Sequence, residues 1–584
     1  MTLRRLLRRP KYRYMAANRI VPHLPWLVLI AMAIFLYKAR IFADTGFTVA
    51  QVINTQNFYI ESLRIISVIP QIIPLIGVWT GIEIRYVLLL FSLVHVVFFY
   101  FLFLFVYYGL RDRRSGLLII LSQTVGIMYG FFDPMFELYY TVPLMITFYA
   151  IWRLPFRFRT IFVLLTLEAL ILLSHPLAFI LFAYVLLYDL TTKTAKPFKF
   201  YLPVMLVFAA SLLFRYFAKC NYVPGIMAGI LNNNLPDLIN PLNFKVLGLF
   251  MLRYYSEVLL AFILVIYMLA NQKQWFRLLI VALTFFAYVF LVNSVFPVSE
   301  AHYIEQLMFI FVPLVFIPLI YSFPTVGRQG LLNISILMVS ALIAYRLAVI
   351  YYGGEKFAMR VAQMEQLINV ARQKGGNKFV VKKQAIDHGY TKLSSSFPVE
   401  TLLLSAIDGN DISATIASEE ELRQINTIRA DQFIFRAGEL KQQNWLNKRY
   451  FHLDIGQYRS LNDSIPNANI NFTAGNLRIT IDSKNLYGAT DTVWIPVNII
   501  NQGKTPVFSG IKNNVFLSYF WSVNNEVLSW NEIRTPLQAD IKGYLRQDIK
   551  VAVPRRKGRM QLKVDIIADG DWLGIYSMED VMVY

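Results

Sequence analysis

The feature that most constrains this chain is a series of apolar runs within residues 1–352, each close to the length of a membrane-spanning helix. A helix needs about 20 predominantly apolar residues to cross the hydrocarbon core of a bilayer. Charged residues make up 16% of the whole chain, whereas soluble globular proteins carry about 25%. The pattern therefore predicts a polytopic α-helical membrane protein.

About eleven spans are predicted by run length. They cover residues 25–42, 84–109, 116–132, 138–153, 160–174, 177–190, 202–217, 247–270, 278–294, 307–323 and 331–352. The run 160–190 is too long for one span, and Ser174-His175-Pro176 interrupts it. Because proline breaks a helix, we interpret it as two short helices, with one long kinked helix as the alternative.

Lysine and arginine cluster before the first span and in alternate loops, near Arg111, Arg153, Lys193 and Lys273. Cytoplasmic loops of membrane proteins are enriched in these residues, so the N-terminus is predicted to be cytoplasmic. An odd number of spans then places the C-terminal domain on the extracytoplasmic side, which for a bacterial inner (cytoplasmic) membrane is the periplasm. The net charge of +20 is explained largely by these loops, so no nucleic-acid partner is expected.

Beyond the transmembrane domain (1–352), the composition becomes that of a soluble protein. Residues 353–465 combine a helical face, which includes Met364 and Leu367, with a strand at 379–381, and this mixture predicts a small α/β subdomain. From 466 to 584, short β-rich runs alternate with turn residues, which predicts a β-sandwich. The runs are 477–482, 493–500, 514–521, 547–553 and 560–567.

The last region also contains the segments Asn514–Trp521, Ile533–Leu537, Val553-Pro554, Leu562–Asp565 and Asp571-Trp572. In this order they resemble an Ig-like module that occurs beside bacterial surface-polysaccharide enzymes. Tyr519, Trp521 and Trp572 are then either core residues or, as the resemblance implies, a platform on which a glycan stacks. A protein partner for this module is the other expectation.

The first loop begins with Phe42-Ala43-Asp44-Thr45-Gly46, where the first span should leave the bilayer. An acidic residue after span one, an outer loop of about 40 residues and an exported C-terminal domain resemble the layout of the GT-C class of glycosyltransferases. The Trp-Trp-Asp triplet of its oligosaccharyltransferase members is absent, as is an Asp-Glu pair after span one. The resemblance implies a polyprenyl-phosphate sugar as donor, taken from the membrane lipid, with Asp44 as general base. The alternative for Asp44 is a helix cap.

Other polar residues of the same side are candidates for binding substrate or phosphate. Glu61 and Arg64 either contact substrate, the guanidinium binding phosphate, or pair with each other on a helix. Asp133 and Glu137 lie in a very short loop near hydrocarbon, where carboxyl groups are costly. They would orient the substrate or a divalent cation (Mg²⁺ or Mn²⁺), or begin the helix at Leu138.

His175 is a candidate donor to phosphate or sugar, and Glu300 and His302 occupy the loop before span ten. No zinc-ligand spacing and no Gly-rich phosphate loop is present, so no metal site is predicted. The leading hypothesis is a membrane glycosyltransferase that uses a polyprenyl-phosphate donor and an extracytoplasmic acceptor: surface glycan, lipid or protein. The alternatives are a non-catalytic assembly or export component and a lipid-linked glycan polymerase, ligase or transporter.

Overall fold

A computed structural model shows how the chain folds. It describes residues 21–61, 63–155, 158–192, 196–218, 241–295, 301–322, 329–382, 395–409, 413–425, 428–462, 477–482, 486–501, 515–523, 526–530, 533–537, 541, 544–568, 571–572 and 577–584. The chain divides into two compact units. The membrane unit comprises the chain up to Met364 with Ser396–Ser413 and Leu440–His452, and the C-terminal unit comprises Glu365–Ser395, Ala414–Glu439 and Leu453–Tyr584.

Helices make up most of the described membrane unit. They are α1 (Leu24–Phe35), α2 (Asp44–Thr55), α3 (Ile72–Thr80), α4 (Ile84–Leu104), α5 (Arg113–Thr124), α6 (Leu138–Trp152), α7 (Phe158–Leu172), α8 (Ala178–Leu190), α9 (Tyr201–Phe217), α10 (Pro241–Tyr254), α11 (Ser256–Asn271), α12 (Trp275–Val295), α13 (Ala301–Met308), α14 (Phe311–Ser322), α15 (Gln329–Lys374) and α16 (Phe397–Ser405). Short 3₁₀ turns precede α2, α3 and α6, at Tyr37–Arg40, Ile65–Gln71 and Tyr129–Phe132.

Five helices of the described residues are long and apolar enough to cross a membrane: Ile84–Gly109, Phe198–Phe217, Trp275–Asn293, Glu305–Ser322 and Leu337–Lys374. A sixth span results if α10 and α11, which meet at 93°, are counted together. Large apolar side chains are exposed on four of these helices, as lipid contact requires, whereas Glu305–Ser322 is largely buried. These helices indicate a membrane protein. The count of eleven stays a prediction, because other apolar helices, such as α6 and α8, are shorter.

The region of Ser174-His175-Pro176 separates two helices, α7 and α8. This agrees with the interpretation of 160–190 as two short helices. Helix α15 continues from Gln329 to Lys374, across the predicted boundary of the transmembrane domain at 352.

The region predicted as one α/β subdomain, 353–465, is divided between the two units. In the C-terminal unit, β1 (Lys378–Val381) lies between β2 (Thr415–Ser418) and β5 (Arg459–Ser460) in a parallel sheet. The other elements of this region are α17 (Glu419–Gln424), β3 (Gln432–Arg436) and β4 (Glu439–Gln442). Helix α16, in contrast, packs in the membrane unit, so the prediction of one continuous subdomain needs this correction.

The C-terminal region is rich in β-strands, as predicted. The strands are β6 (Leu477–Ile481), β7 (Leu486–Tyr487), β8 (Thr492–Asn501), β9 (Val515–Val523), β10 (Glu526–Trp530), β11 (Thr535–Pro536), β12 (Tyr544–Ala552), β13 (Gly558–Ala568), β14 (Asp571–Trp572) and β15 (Ser577–Val583). One sheet has the order β12-β8-β6 and the other has the path β10-β9-β13-β15-β7. The alternate buried side chains of both sheets form one apolar core, which is what period-two patterning requires.

Trp521 and Trp494 allow a matched test of this core. Trp521 has no exposed surface and donates its indole N–H to the Ala552 carbonyl at 2.9 Å, whereas Trp494 is 60% exposed. Trp521→Ala should destabilise the β-rich region by about 3–5 kcal/mol, and Trp494→Ala by no more than about 0.5 kcal/mol. Hydrogen exchange of the full chain in detergent, read on peptides from β9, measures both values. Equal effects of the two substitutions would contradict the assignment of Trp521 to the core.

Candidate functional site

Asp44 is the first residue of α2, and the backbone that leads into it is strained. Ala43 has φ 48° and ψ −116°, a conformation that costs an L-residue roughly 1–3 kcal/mol. Ala43, not Asp44, occupies the N-cap position, and the Ala43 side chain makes no capping hydrogen bond. Asp44 is therefore in the first turn of α2 and not at the predicted N-cap position. Its carboxyl group is exposed in the first turn of α2, where the helix dipole favours negative charge.

Asp133 is buried next to this turn. Its Oδ1 accepts hydrogen bonds from the Thr45 backbone N–H at 3.2 Å and from the Thr45 hydroxyl at 2.7 Å. The amide of Gln306 lies 3.5 Å from its Oδ2. Burial, and secondarily the nearby charge of Asp44, raise the pKa of Asp133 well above its ordinary value, although the Thr45 bonds oppose this. Asp133 therefore favours the protonated form and links the loop before α6 to the start of α2.

Arg64 pairs with Glu137 rather than acting as the helical partner of Glu61. Its guanidinium donates to the Glu137 carboxylate at 2.9 Å, and both side chains are about nine-tenths buried. The Arg64 N–H donates to the Glu61 carbonyl at 3.0 Å in a turn, but the described residues there are not helical and the Arg64 side chain pairs with Glu137 instead of Glu61. Glu137 occupies the N-cap position of α6 but makes no capping bond with its side chain. Burial raises the pKa of Glu137, and Arg64 counteracts this.

These residues surround a small open cleft, which we call the Asp44 cleft. Its lining residues are Asp44, Thr48, Tyr59, Glu61, Arg64, Ser67, Met135, Phe136 and Glu137. Four predicted site residues thus line one cleft. Asp133 is not among the lining residues; it bonds to Thr45, the residue that follows Asp44. The arrangement offers an exposed carboxyl group, Asp44, near a cation that is already held in place by Glu137.

His175 lies in the turn between α7 and α8 and is buried beside the ring of Phe136, with the ring centroids 5.7 Å apart. Its Nδ1 accepts the Leu177 N–H at 3.2 Å, which leaves the proton on Nε2. Burial, together with the cations Arg64 and Arg215, lowers the pKa of His175 well below its ordinary value. His175 is therefore a neutral N–H donor and not a cation.

Two predicted residues, Glu300 and His302, lie wholly or partly outside the described residues. Glu300 lies outside the described residues, and His302 lies on α13 with its side chain outside them. Glu305, on the same helix, proves to be a structural residue. Its buried carboxylate accepts the N–H groups of Met128, Tyr129 and Gly130 at 2.6, 2.8 and 2.9 Å. It orders the turn just before Asp133, and its signal was a single acid at the start of an apolar helix.

Sequence reasoning missed two further residues near Asp44. Glu400, on α16, accepts the Ala43 N–H at 3.0 Å and forms an ion pair with Arg360 of α15. Glu400 has no exposed surface. The sequence feature that could have revealed Glu400 is a lone acidic residue in the apolar run Phe397–Ser405. Such a residue is rarely buried without a partner, so it indicates a buried pair.

The proposed glycan platform of the C-terminal unit needs a correction. Tyr519 and Trp521 have no exposed surface, so neither ring offers a face to a glycan. The Tyr519 hydroxyl accepts the Ala552 N–H at 2.6 Å, and Trp521 bonds to the same residue. Both are core residues. Trp572 lies on β14, and its side chain is outside the described residues.

The described residues contain no group of three or more His, Cys, Asp or Glu side chains that could bind a metal ion. Among the residues that line the Asp44 cleft, Arg64 is the cationic one.

The fold defines the class of protein at a coarse level: a helical membrane protein with a β-rich C-terminal region. Comparisons with protein-family models, with curated proteins and with solved structures found no match to this chain.

The pH dependence of stability tests the environment of Asp133. Its folded-state pKa is raised above the ordinary 3.8, so the folded chain retains a proton that the unfolded chain releases. Stability contributed by this group is complete below about pH 4 and is lost as the pH rises through the folded-state pKa. Asp133→Asn, which cannot ionise, should reduce this decline. Thermal unfolding of the full chain in detergent at several pH values measures it, and parallel curves for the two proteins would contradict the assignment.

Proposed function

We propose that the chain is a membrane glycosyltransferase that transfers a sugar from a polyprenyl-phosphate donor to an extracytoplasmic acceptor. The observation that carries the proposal is the exposed carboxyl group of Asp44 in one cleft with the Arg64–Glu137 pair. An inverting transfer needs a base for the acceptor hydroxyl and a cation for the departing phosphate. Asp44 and Arg64, which would supply the two groups, both line the Asp44 cleft.

In this proposal Asp44 is the general base. It removes the proton from the acceptor hydroxyl as that oxygen bonds to the anomeric carbon of the sugar, and the bond from that carbon to the phosphate oxygen breaks. The proton remains on Asp44, and the phosphate leaves with the electron pair. Asp133 is unsuited to this task because its buried environment favours the protonated form.

The phosphate would be bound by Arg64, with His175 as a neutral N–H donor. Glu137 holds the Arg64 guanidinium in a fixed orientation, which lowers the cost of ordering it when substrate binds. Glu61, exposed at the rim of the Asp44 cleft, is a candidate for contact with sugar hydroxyls. The reaction requires no metal ion in this scheme.

An apolar surface for the prenyl chain lies close in sequence to Arg64. Helix α3 begins eight residues after Arg64, and four of its apolar side chains are 42–57% exposed: Ile72, Ile73, Ile76 and Trp79. A helix that presents such side chains is suited to the membrane interface. A polyprenyl phosphate needs both an apolar surface and a cationic group, and this loop supplies both.

The topology that fits this function is the predicted one of about eleven spans. The N-terminus is then cytoplasmic, and the Asp44 cleft and the C-terminal unit face the periplasm. The two sheets with a common core support an Ig-like β-sandwich for residues 466–584, positioned to meet an acceptor glycan or a protein partner.

Asp44→Asn tests the proposal, because asparagine keeps the size and loses the basic form. The transfer rate should fall by roughly 10²-fold or more. The assay uses the full chain in lipid nanodiscs with a panel of polyprenyl-phosphate hexoses and pentoses labelled in the sugar. It measures the release of polyprenyl phosphate in the presence of candidate acceptors.

Asp112→Asn is the matched control. Asp112 also begins a helix, but it caps α5 by accepting the N–H groups of Arg114 and Ser115 at 3.0 and 3.1 Å. Asparagine caps helices about as well as aspartate, so this variant should keep the wild-type rate. A wild-type rate in Asp44→Asn would reject the base assignment, and no turnover by the wild-type chain of any donor would favour a non-catalytic component.

A further inference from the structure

The peptide that leads into Asp44 is bound by residues that come from much later in the chain. Glu400 uses one carboxylate oxygen to accept the Ala43 N–H at 3.0 Å and the other to pair with Arg360. The side chain of Glu400 has no exposed surface and that of Arg360 has 7%. A buried carboxylate with both oxygens engaged has a fixed orientation, because moving it would leave a buried donor unsatisfied.

The bound peptide is the strained one. A positive φ at an alanine persists only where the surroundings determine the conformation, and the Ala43 N–H is the group that Glu400 binds. Gly46, in the first turn of α2, makes the approach feasible. A Cβ at Gly46 would lie 3.0 Å from the Cγ of Glu400 and would also collide with the Ile41 carbonyl.

Two residues of α15, Phe357 and Arg360, together contact both loops that contribute carboxyl groups to the site. The Arg360 guanidinium lies over the ring of Phe42 at 4.9 Å from its centroid. Phe357, one turn earlier, contacts Phe42 edge to face at 5.2 Å and stacks on Phe132 at 4.5 Å. Phe132 immediately precedes Asp133, and Phe42 is two residues before Asp44.

We propose that Glu400, with Arg360 as its counter-ion, is a positioning residue that fixes the direction in which Asp44 enters the cleft. This inference rests on the proposed function, since it concerns the direction in which the side chain of the proposed base, Asp44, points. Glu400 touches no substrate, and it acts through the Ala43 peptide. A purely structural ion pair is the alternative, and it would affect the stability of the protein without changing the rate of transfer.

Glu400→Gln tests the inference. Glutamine has one carbonyl oxygen in place of two carboxylate oxygens, so either Ala43 or Arg360 loses its partner. With the base misaligned, kcat should fall by about 10- to 100-fold, and KM should stay within about twofold, since substrate-binding groups are unchanged. The kinetics are measured on the full chain with labelled polyprenyl-phosphate sugars. Hydrogen exchange of the Ala43 amide, read on a peptide covering 36–47, should become faster.

A rescue experiment separates positioning from general loss of stability. Glycine adopts positive φ without strain, so Ala43→Gly added to Glu400→Gln should restore part of the lost kcat. The matched control is Glu421→Gln in the C-terminal unit, where another buried glutamate accepts a backbone N–H, that of Ser418, at 2.9 Å. This control should leave both kcat and the exchange of Ala43 at wild-type values.

The outcomes distinguish the two proposals. Faster exchange at Ala43 with an unchanged kcat, or no change in either quantity, overturns the positioning role. A second outcome is that Glu400→Gln speeds exchange at Ala43 while the wild-type chain transfers no sugar. This outcome overturns the proposed function, and the Glu400–Ala43 contact then stands as a structural finding. If Glu400→Gln does not fold, Arg360→Lys replaces it. Lysine keeps the charge but cannot stack flat on Phe42, so kcat should fall with KM retained, and a wild-type kcat would overturn the inference.

Discussion

The hydrogen bonds between Asp133 and Thr45 are the interaction on which the site depends. They join two loops that are 88 residues apart in sequence, the start of α2 and the turn before α6. They hold the start of α2, where Asp44 lies, next to the loop that leads to Glu137. The bonds are made by a carboxyl group with 5% exposure, and a buried acceptor of this kind costs free energy unless its donors are present. The geometry of Thr45 therefore follows from the burial of Asp133.

The charges around the cleft have different tasks because they have different environments. Asp133 is buried and favours its neutral form, Glu137 is buried with a cation, and Asp44 is exposed in the first turn of a helix. Only Asp44 combines access to a substrate with a position that the helix dipole favours for a carboxylate. The separation of carboxyl groups by environment is the usual way in which proteins assign acid and base roles.

Local patterns in the sequence were sufficient for the broad architecture. The apolar runs predicted the long helices, and short β-rich runs separated by turn residues predicted β6, β8, β9, β12 and β13 to within a few residues. Convergence of the outer ends of spans one and three would place Asp44, Asp133 and Glu137 in one cavity; Asp44 and Glu137 line the Asp44 cleft, whereas Asp133 does not. These predictions succeed because the spacing of apolar residues along a short stretch of sequence reflects which face of a helix or strand is buried.

The remaining contacts depend on tertiary structure, which no local pattern encodes. The i,i+3 spacing suggested Glu61 as the partner of Arg64, but the described chain there is not helical and Glu137, 73 residues away, pairs with it. Glu400 reaches Ala43 across 357 residues. Tyr519 and Trp521 had two interpretations because exposure on a strand depends on which neighbours cover it, and the second sheet covers both.

The most direct test of the central claim is an electron cryo-microscopy map of the full chain in nanodiscs with a polyprenyl-phosphate sugar. Asp44→Asn protein would be used so that the donor is retained. The account predicts phosphate density within hydrogen-bond distance of Arg64 and the anomeric carbon facing residue 44 in the Asp44 cleft. Donor density elsewhere in the protein, with this cleft empty, would contradict it.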